Sequence, residues 1–160
     1  MATIGDSVPD VEAYIAGPEG PQKVQTGELL GSGKVVLFAV PGAYTPGCSK
    51  VHLPGFVQQA DELTSKGVDK IVCASVNDQH VMKAWGEALN GAGKVEFLAD
   101  GSGDYTRALG LDIDLSEGGM GMRCRRFSML VEDGVVKTLN FEPEGGVITA
   151  TGAPAMLAQL

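Results

Sequence analysis

Continuous apolar runs alternate with amphipathic stretches along the middle of the chain. Two runs, residues 34–40 and 69–76, are rich in β-branched side chains, which is typical of strands buried on both faces of a sheet. A helical pattern follows each run, one over residues 46–65 and one that begins after Asn77 or Asp78. The second helix has an apolar stripe that indicates core packing, formed by Val81, Met82, Trp85 and Leu89.

Shorter patterns predict the remaining elements. The pair Asp133-Gly134 separates two strand-like runs, which is a strong hairpin signal. Residues 112–122 are rich in glycine and are interpreted as a loop, whereas residues 1–33, with turns such as Gly17-Pro18, predict short extended pieces and a hairpin beside the main sheet. The other predicted elements are strands at 95–99, 127–132 and 135–141, a helix at 104–109 and a final amphipathic helix at 154–160.

The order of these elements predicts the fold class. Strand and helix alternate first, and a hairpin and a last helix follow, which indicates an α/β protein: a thioredoxin-like sandwich with a central mixed β-sheet flanked by helices. The length of 160 residues, without a repeat or a linker, predicts a single domain over residues 1–160. Open α/β sheets keep their functional sites at the carboxyl ends of the strands, so we expect the site directly after residues 34–40.

Charge and cysteine content narrow the function classes. The formal net charge of -8 argues against nucleic acid or an anionic membrane surface as the main partner. No apolar span is long enough to cross a bilayer, and the acidic N-terminus lacks the apolar segment of a secretory signal. We therefore expect a cytoplasmic protein, or the mature form of a chloroplast or mitochondrial protein without its transit peptide. Three cysteines are too few for a disulfide framework and indicate a working thiol in a reducing compartment.

The stretch Pro-Gly-Ala-Tyr-Thr-Pro-Gly-Cys at residues 41–48 joins the first buried strand to the first helix. Thr45 is a good N-cap and Pro46 suits the first helical position, so Cys48 should lie in the first turn. Unpaired N–H groups and the positive end of the helix dipole favour a thiolate there, and the thiolate is the reactive form of cysteine. The alternative is a small apolar residue that only plugs the helix start. Pro54 should kink or break this helix.

Residues 41–48, together with Ser-Lys-Val-His-Leu-Pro-Gly-Phe at 49–56, closely resemble the active-site segment of the peroxiredoxins. The resemblance is to the type II class, which includes the peroxiredoxin-five group and plant or algal members. It extends over residues 5–160 without a large gap. Further matching segments are Lys66-Gly67-Val68, Ser75-Val76-Asn77-Asp78, Ala84-Trp85-Gly86, Arg126-Phe127-Ser128-Met129 and Asp133-Gly134-Val135-Val136-Lys137.

The resemblance implies a thiol-dependent peroxidase that reduces hydrogen peroxide and organic hydroperoxides, in antioxidant defence and redox homeostasis. It identifies Cys48 as the peroxidatic cysteine, which becomes a sulfenic acid. Thr45 and Arg126 complete the triad of the family, and Pro41 shields the thiolate from water. Arg126 is always cationic and can donate to peroxide oxygens, and the Thr45 hydroxyl can contact both thiolate and peroxide. We expect neither a metal nor a cofactor.

His52 and the basic run at residues 123–126 have more than one interpretation. His52 follows Cys48 by four residues, on the same helix face, and this spacing also suits metal ligands. Because the sequence places no further ligands nearby, we favour a hydrogen-bonded histidine beside the pocket over a zinc ligand. A basic run is usually a solvated face, and strand alternation lets at most one of Arg125 and Arg126 face the site. The resemblance selects Arg126.

Cys73 and Cys124 lie in predicted strands or beside them. A free cysteine in mid-strand is most often an inert hydrophobe, but Cys73 matches the second cysteine of plant-like type II peroxiredoxins and is the candidate resolving cysteine. A Cys48–Cys73 disulfide should require local opening of the fold, whereas an external thiol should reach oxidised Cys48 from solvent. The animal resolving cysteine is replaced by Thr-Ala-Thr at residues 149–151. Cys124 has no catalytic counterpart.

The expected partners are a small peroxide, a thiol reductant and a second copy of the chain. The reductant would be glutaredoxin with glutathione, or thioredoxin. Type II members often pair around the active-site loop, so the homodimer contact should lie near residues 41–44. Nucleic acid and membranes are not expected. The alternative function is a non-catalytic, redox-sensing or chaperone-like thioredoxin-fold binding module; a thiol–disulfide oxidoreductase would normally need a Cys-x-x-Cys pair, which the chain lacks.

Overall fold

A seven-stranded mixed sheet runs through the protein. The structure is a computed structural model in which residues 1–17, 19–143 and 147–160 are described. Its strands are β1 Glu12–Gly17, β2 Gly20–Gln25, β3 Lys34–Ala39, β4 Lys70–Ser75, β5 Glu96–Ala99, β6 Asp112–Asp114, β7 Met122–Cys124, β8 Phe127–Glu132 and β9 Val135–Phe141. Its helices are α1 Thr26–Leu29, α2 Leu53–Gln58, α3 Ala60–Ser65, α4 Gln79–Ala88, α5 Asp104–Leu109 and α6 Ala153–Ala158.

The strand order of the main sheet is β2-β1-β5-β4-β3-β8-β9. Strands β3, β4 and β5 are parallel, and β1, β8 and β9 pair antiparallel with their neighbours. This arrangement confirms the predicted α/β fold with a mixed sheet. Because β3 lies between β4 and β8, the chain that leaves β3 starts at the centre of the carboxyl edge, where the sequence predicts the site.

Hydrophobic clusters cover both faces of the sheet. Along β3, Val36 and Phe38 join the cluster that contains Cys48, and the intervening Leu37 joins the cluster on the other face. Met82 and Trp85 of α4 are fully buried in the first cluster, which confirms that the apolar stripe of this helix is core packing. Helices α2, α3, α4 and α6 therefore cover the face that holds Cys48.

Two hairpins form as predicted. In the turn between β8 and β9, Asp133 (φ 48) and Gly134 (φ 82) both adopt the left-handed conformation that a two-residue hairpin turn requires. Strands β1 and β2 form the second hairpin at the edge of the sheet. The predicted turn at Gly17-Pro18 includes Pro18, which lies outside the described residues.

The helical stretch over residues 46–65 is interrupted near Pro54, as the sequence predicts, and a second time at Gln59, which the sequence does not predict. A π-helical turn spans Cys48–His52, α2 follows directly, and the chain breaks again between α2 and α3 at Gln59 (φ -96, ψ 5). The proline at position 54 accounts for the first irregularity, because Pro54 has no N–H for an i→i−4 hydrogen bond and the wider π register precedes it. The break at Gln59 has no such signal in the sequence.

The prediction of a loop over residues 112–122 is also wrong. Strands β6 and β7 pair antiparallel as a separate two-stranded ribbon, joined through a short 3-10 turn at Ser116–Gly118. Gly119 (φ 77) and Gly121 (φ 67) allow the chain to reverse there. Each strand has three residues, which is too short to show the alternation that predicts strands.

Candidate active site

Cys48 lies in the first turn after the loop that leaves the centre of the sheet. The backbone N–H of Val40 still donates to the carbonyl of Ala74 in β4 (3.1 Å), and the chain then turns away over residues 41–45. Within this loop Tyr44 has a φ of 65, a left-handed conformation that is uncommon for a bulky residue and that occurs often at functional sites. The loop thus directs the chain into the π-helical turn that begins with Cys48.

The thiol of Cys48 is buried, with 0% of the residue exposed. The sequence led us to expect that an external thiol reaches oxidised Cys48 from solvent, but in this conformation the residue is closed to solvent. The physical reason is that the turn packs into the hydrophobic cluster of the sheet, while Arg126 and the side chain of Ile148 lie over the neighbouring Gly47. A reductant as large as glutathione can reach the sulfur only when this turn or its cover moves.

Arg126 joins Cys48 to His52. Its Nη2 donates to Cys48 Sγ (3.2 Å), and its Nη1 donates to His52 Nδ1 (2.8 Å). The two terminal nitrogens of the guanidinium group thus bind two different partners, and this fixes the orientation of the guanidinium plane. Arg125, by contrast, is exposed and stacks on the ring of Phe141 (4.4 Å from Cζ to the centroid). Only Arg126 of this pair faces the site, as the alternation argument allows.

His52 is a buried, neutral imidazole. Its Nε2 lies 2.8 Å from the carbonyl oxygen of Thr151, which can only accept, so Nε2 carries the proton and Nδ1 accepts from Arg126. Burial lowers the pKa of His52 to about 4, and the positive charge of Arg126 acts in the same direction. The ring packs against the stacked pair of Phe38 and Phe56, with centroids at 4.9 and 5.7 Å from its own. His52 therefore orients Arg126 without carrying charge at neutral pH.

Thr45 and Pro41 lie in the loop beside the thiol. The Thr45 hydroxyl donates to the carbonyl of Gly42 (2.7 Å), and no hydrogen bond joins it to Cys48 or caps the helix within the described residues. The expected side-chain cap is thus wrong, because the short Thr45 side chain is turned back into its own loop. Pro41 is half-buried and follows Val40 at the carboxyl edge of the sheet.

Asn77 is a residue of this region that the sequence did not single out for the site. Its Oδ1 accepts from the backbone N–H of Ala43 (3.0 Å) and from the Ser75 hydroxyl (2.5 Å), so it ties the loop to the end of β4. The neighbouring Asp78 is the N-cap of α4 and accepts from the N–H groups of His80 and Val81. The sequence left open whether Asn77 or Asp78 caps α4, and in the structure Asp78 is the cap.

Glu142 and Thr151 are also part of the surroundings of the site, and sequence reasoning missed both. Thr151 holds His52 through its carbonyl, and its own N–H and hydroxyl donate to the Glu142 carboxylate (2.8 and 2.6 Å). His52 and Thr151 are 99 positions apart in the chain. No local pattern indicates such a contact; only the fold, which places the segment before α6 against the π-helical turn, brings the two residues together.

The other two cysteines lie on opposite faces of the sheet. Cys73 is fully buried in β4, beside Phe38 of β3, and belongs to the same cluster as Cys48. Burial raises the pKa of the Cys73 thiol, and the nearby Cys48 acts in the same direction. Cys124 lies in the other cluster, where burial raises its pKa to about 12. Both thiols are therefore poor nucleophiles in this conformation.

The fold and the site define a class of protein: a thioredoxin-like α/β domain with a buried thiol, held by an arginine, at the carboxyl end of a central strand. Comparisons with known proteins agree with this class. The redoxin family model matches residues 3–157. Reduced Prx3 in complex with hydrogen peroxide from Vibrio vulnificus has a similar structure, with a TM-score of 0.94, 44% sequence identity and coverage of 99% of each chain.

Two plant relatives are similar over almost the whole chain. Peroxiredoxin-2E-2, chloroplastic, of Oryza sativa subsp. japonica is 51% identical over 162 residues, which cover 98% of this chain and 72% of the relative. Peroxiredoxin-2C of the same organism is 49% identical over 158 residues, which cover 98% and 97%. The chain therefore belongs to the redoxin family and, within it, to the peroxiredoxins. It is a thiol-dependent peroxidase with an antioxidant function.

Proposed function

We propose that Cys48 is the peroxidatic cysteine of this peroxidase and that Arg126 activates it. The observation that carries the proposal is the hydrogen bond of 3.2 Å from Arg126 Nη2 to Cys48 Sγ. A guanidinium is always protonated, so Arg126 brings a fixed positive charge and a hydrogen-bond donor to the sulfur. Among the described residues, no carboxylate forms an ion pair with Arg126, so its charge is available to the sulfur.

The chemical step is a two-electron displacement. The Cys48 thiolate attacks the near oxygen of the peroxide, an S–O bond forms and the O–O bond breaks. The leaving oxygen takes up a proton and departs as water or as an alcohol, while Cys48 becomes a sulfenic acid. The short distance of 3.2 Å from Arg126 Nη2 to the sulfur supports a role of this nitrogen as a donor to the incoming peroxide. Backbone N–H groups of the first turn can bind the charge that develops on the leaving oxygen.

Thr45 and Pro41 are the other residues to which we give a role. The Thr45 hydroxyl donates to Gly42, which leaves its oxygen able to accept from the O–H of a hydroperoxide. Pro41 has no N–H and stands at the carboxyl edge of the sheet, so it shields the Cys48 sulfur from water without offering a competing donor. His52 keeps the guanidinium of Arg126 in place.

Two further thiols complete the cycle. One thiol attacks the sulfur of the Cys48 sulfenic acid, forms a disulfide with it and releases water, and a second thiol then reduces this disulfide. Glutathione with glutaredoxin, or thioredoxin, would supply these thiols, and Cys73 is the candidate internal one. The buried Cys48 and Cys73 both require a local opening before they react, and such openings need less free energy than global unfolding.

A homodimer through the active-site loop is part of the proposal. Tyr44 at the tip of this loop is 56% exposed, and Met122 of the β6–β7 ribbon is 47% exposed. The ribbon adjoins the loop, because the Met120 side chain lies next to Gly42. Exposed apolar side chains on adjacent segments favour association. Sedimentation of the reduced protein should show a dimer at micromolar concentration, and a Tyr44→Asp variant should sediment as a monomer; a monomeric parent protein would contradict the proposal.

For the compartment, we propose the cytoplasm or an organelle such as the chloroplast or the mitochondrion. The similarity to a chloroplastic peroxiredoxin supports the organelle. In the described part of the chain, no helix has the length and apolar character that a membrane span requires. Fractionation of the source cells with an antibody against the protein would distinguish the compartments.

A serine substitution tests the role of Cys48. Cys48→Ser replaces the sulfur by an oxygen in the same buried position, so the fold should persist, with an unchanged circular dichroism spectrum, while peroxide consumption with dithiothreitol is lost. Cys124→Ser is the matched control, since Cys124 is similarly buried but lies on the other face of the sheet, and it should keep the parent rate. Substantial turnover by Cys48→Ser would refute the assignment.

A further inference from the structure

The carboxylate of Glu142, just after β9, collects an unusual number of donors from one short segment. Its Oε2 accepts from the backbone N–H groups of Thr149 and Thr151 (3.0 and 2.8 Å) and from the Thr151 hydroxyl (2.6 Å). Its Oε1 accepts from the Ala150 N–H and the Thr149 hydroxyl, both at 3.3 Å. These bonds outweigh the effect of desolvation and lower the pKa of Glu142. The carboxylate thus fixes residues 149–151 as one rigid turn.

The rigid turn ends on a group that touches the site. Thr151 is fully buried, and its carbonyl accepts from Nε2 of His52 (2.8 Å). The place of this carbonyl determines both the tautomer and the orientation of the imidazole. If the turn shifts, Nε2–H loses its acceptor and the ring is free to rotate within its aromatic surroundings.

The imidazole in turn determines where the guanidinium points. Nδ1 of His52 can accept from Arg126 Nη1 (2.8 Å) only while Nε2 holds the proton. With Nη1 held, the fork geometry aims Nη2 at Cys48 Sγ (3.2 Å). An unbroken series of short hydrogen bonds therefore leads from Glu142 through Thr151, His52 and Arg126 to the sulfur.

We propose that Glu142 is a positioning residue for peroxide reduction, which acts on Cys48 through Thr151, His52 and Arg126. The proposal rests on the role of Cys48 given above. A purely structural role of Glu142 would stabilise residues 149–151 and leave the orientation of Arg126 unaffected. The two roles differ in one measurable respect. If Glu142 positions Arg126, the effect of a Glu142 substitution on the rate of Cys48 oxidation depends on the presence of the His52 imidazole.

The first test is Glu142→Gln, which keeps size and polarity but replaces one acceptor oxygen by an amide NH2 that faces N–H donors. We expect the second-order rate of Cys48 oxidation by hydrogen peroxide, followed by stopped-flow fluorescence, to fall about tenfold, as displaced catalytic groups do. The rate of Cys48 alkylation by iodoacetamide, a reaction that needs no bound peroxide, should fall less.

Asp10→Asn is the matched control. Like Glu142→Gln, it removes one negative charge and keeps one oxygen that can accept from a backbone N–H, that of Gly27, but it lies far from the site. It should keep the parent rate.

A second pair of variants keeps the test informative if Glu142→Gln does not fold. Thr151→Val preserves the shape of the side chain and the carbonyl that binds His52 but removes the hydroxyl that donates to Glu142. Thr151→Ser keeps that hydroxyl. The oxidation rate should fall in the valine variant and be restored in the serine variant, and equal rates in the two would contradict the proposal.

The decisive measurement is a double-mutant cycle with His52→Leu, which fills the aromatic pocket but cannot hold Arg126. If Glu142 acts through His52, Glu142→Gln lowers the rate in the parent protein and has no further effect in the His52→Leu background. In the parent background, the imidazole 15N shifts of His52 should also change with Glu142→Gln. A parent-like rate in Glu142→Gln, or rate losses that multiply in the double variant, would overturn the proposal. Cys48→Ser distinguishes a failure of this proposal from a failure of the proposed function. If Cys48→Ser is inactive, the role of the Cys48 thiol stands whatever the double-mutant cycle shows.

Discussion

Arg126 uses the two ends of its guanidinium for two different tasks. Nη1 binds the His52 imidazole and Nη2 binds the Cys48 sulfur, so orientation and charge come from one side chain. A lysine ammonium is a point charge on a flexible stem and cannot hold both partners in a fixed plane. The contribution of Arg126 to peroxide reduction should therefore depend on its geometry as much as on its charge.

Arg126→Lys tests this dependence. The variant keeps the positive charge but loses the fork, so we expect the rate of Cys48 oxidation by hydrogen peroxide to fall about tenfold or more. Arg125→Lys is the matched control, because Arg125 stacks on Phe141 away from the thiol and its variant should retain the parent rate. Stopped-flow traces of Arg126→Lys that match the parent protein would show that charge alone suffices.

The residues of the site differ in how far the sequence predicts them. Cys48 is predicted from its place in the first helical turn after a buried strand. Arg126 is predicted from the resemblance, because strand alternation lets at most one of Arg125 and Arg126 face the site. Thr151 and Glu142 could not be predicted, because their roles come from a contact across 99 positions of the chain. The orientation of the Thr45 hydroxyl toward its own loop also depends on the local backbone, which composition does not reveal.

At the scale of elements, the loop over residues 41–45 is held between the end of β4 and the start of the π-helical turn. Asn77 binds the backbone of Ala43 from the β4 side. From the α4 side, Trp85 Nε1 donates to the Ser49 hydroxyl (3.0 Å) within the π-helical turn. The segment that presents Cys48 is therefore anchored at both ends by side chains of the next strand–helix unit.

Asn77→Ala should loosen this segment. The change leaves the part-buried N–H of Ala43 without its acceptor, which destabilises the protein by about 1–3 kcal/mol. Urea unfolding would measure the loss, and the rate of Cys48 oxidation should fall with it, since the loop carries Thr45. Asn77→Asp keeps an oxygen acceptor at the same place and should recover most of the stability. Unchanged unfolding midpoints in Asn77→Ala would show that the loop is held by other contacts.

The elements that the sequence predicts well are those with a strong periodic signal. Strands β3 and β4 are uninterrupted apolar runs, and the β8–β9 turn needs a left-handed residue pair that Asp-Gly supplies. The β6–β7 ribbon was missed because three-residue strands show no alternation, and the break at Gln59 because it has neither glycine nor proline. Tertiary packing decides such segments, and local propensity does not.

At the scale of the whole molecule, the two thiols that a resolving disulfide would join lie inside one hydrophobic cluster. Cys48 and Cys73 are both 0% exposed, so under the proposed role of Cys48 a second thiol meets the oxidised sulfur only in a locally opened state. Strand β4 is a central strand, and its opening disturbs the sheet more than the unwinding of the first turn at Cys48. An external thiol therefore has the easier route.

Cys73→Ser tests which thiol resolves the sulfenic acid. We expect the variant to keep most of its turnover with glutathione and glutaredoxin and to lose more with thioredoxin, which acts best on a preformed disulfide. Non-reducing mass spectrometry after one equivalent of peroxide would show whether a Cys48–Cys73 bridge forms in the parent protein. A quantitative bridge, together with a variant that neither donor can recycle, would refute the external route.

The buried His52 makes the stability of the whole protein depend on pH. Burial, with Arg126, lowers its pKa to about 4, below the ordinary value of 6.5. The unfolded chain therefore binds a proton on this residue between pH 6.5 and pH 4 while the folded chain does not, and the free energy of unfolding falls as the pH falls through this window. Integrated from about pH 7 to about pH 5, the loss amounts to about 2 kcal/mol.

Urea unfolding of the parent protein and of His52→Leu at about pH 7 and about pH 5 would measure this contribution. The leucine cannot titrate, so the variant should lose less stability between the two pH values, by about the 2 kcal/mol that His52 contributes. The comparison uses the pH dependence and not the absolute stability, because the variant also loses two hydrogen bonds. His80→Gln is the control, since His80 is exposed at the start of α4, and it should show the parent pH dependence. An equal loss of stability in the parent protein and in His52→Leu would mean that His52 takes up its proton in the folded protein as readily as in the unfolded chain, which would contradict the lowered pKa.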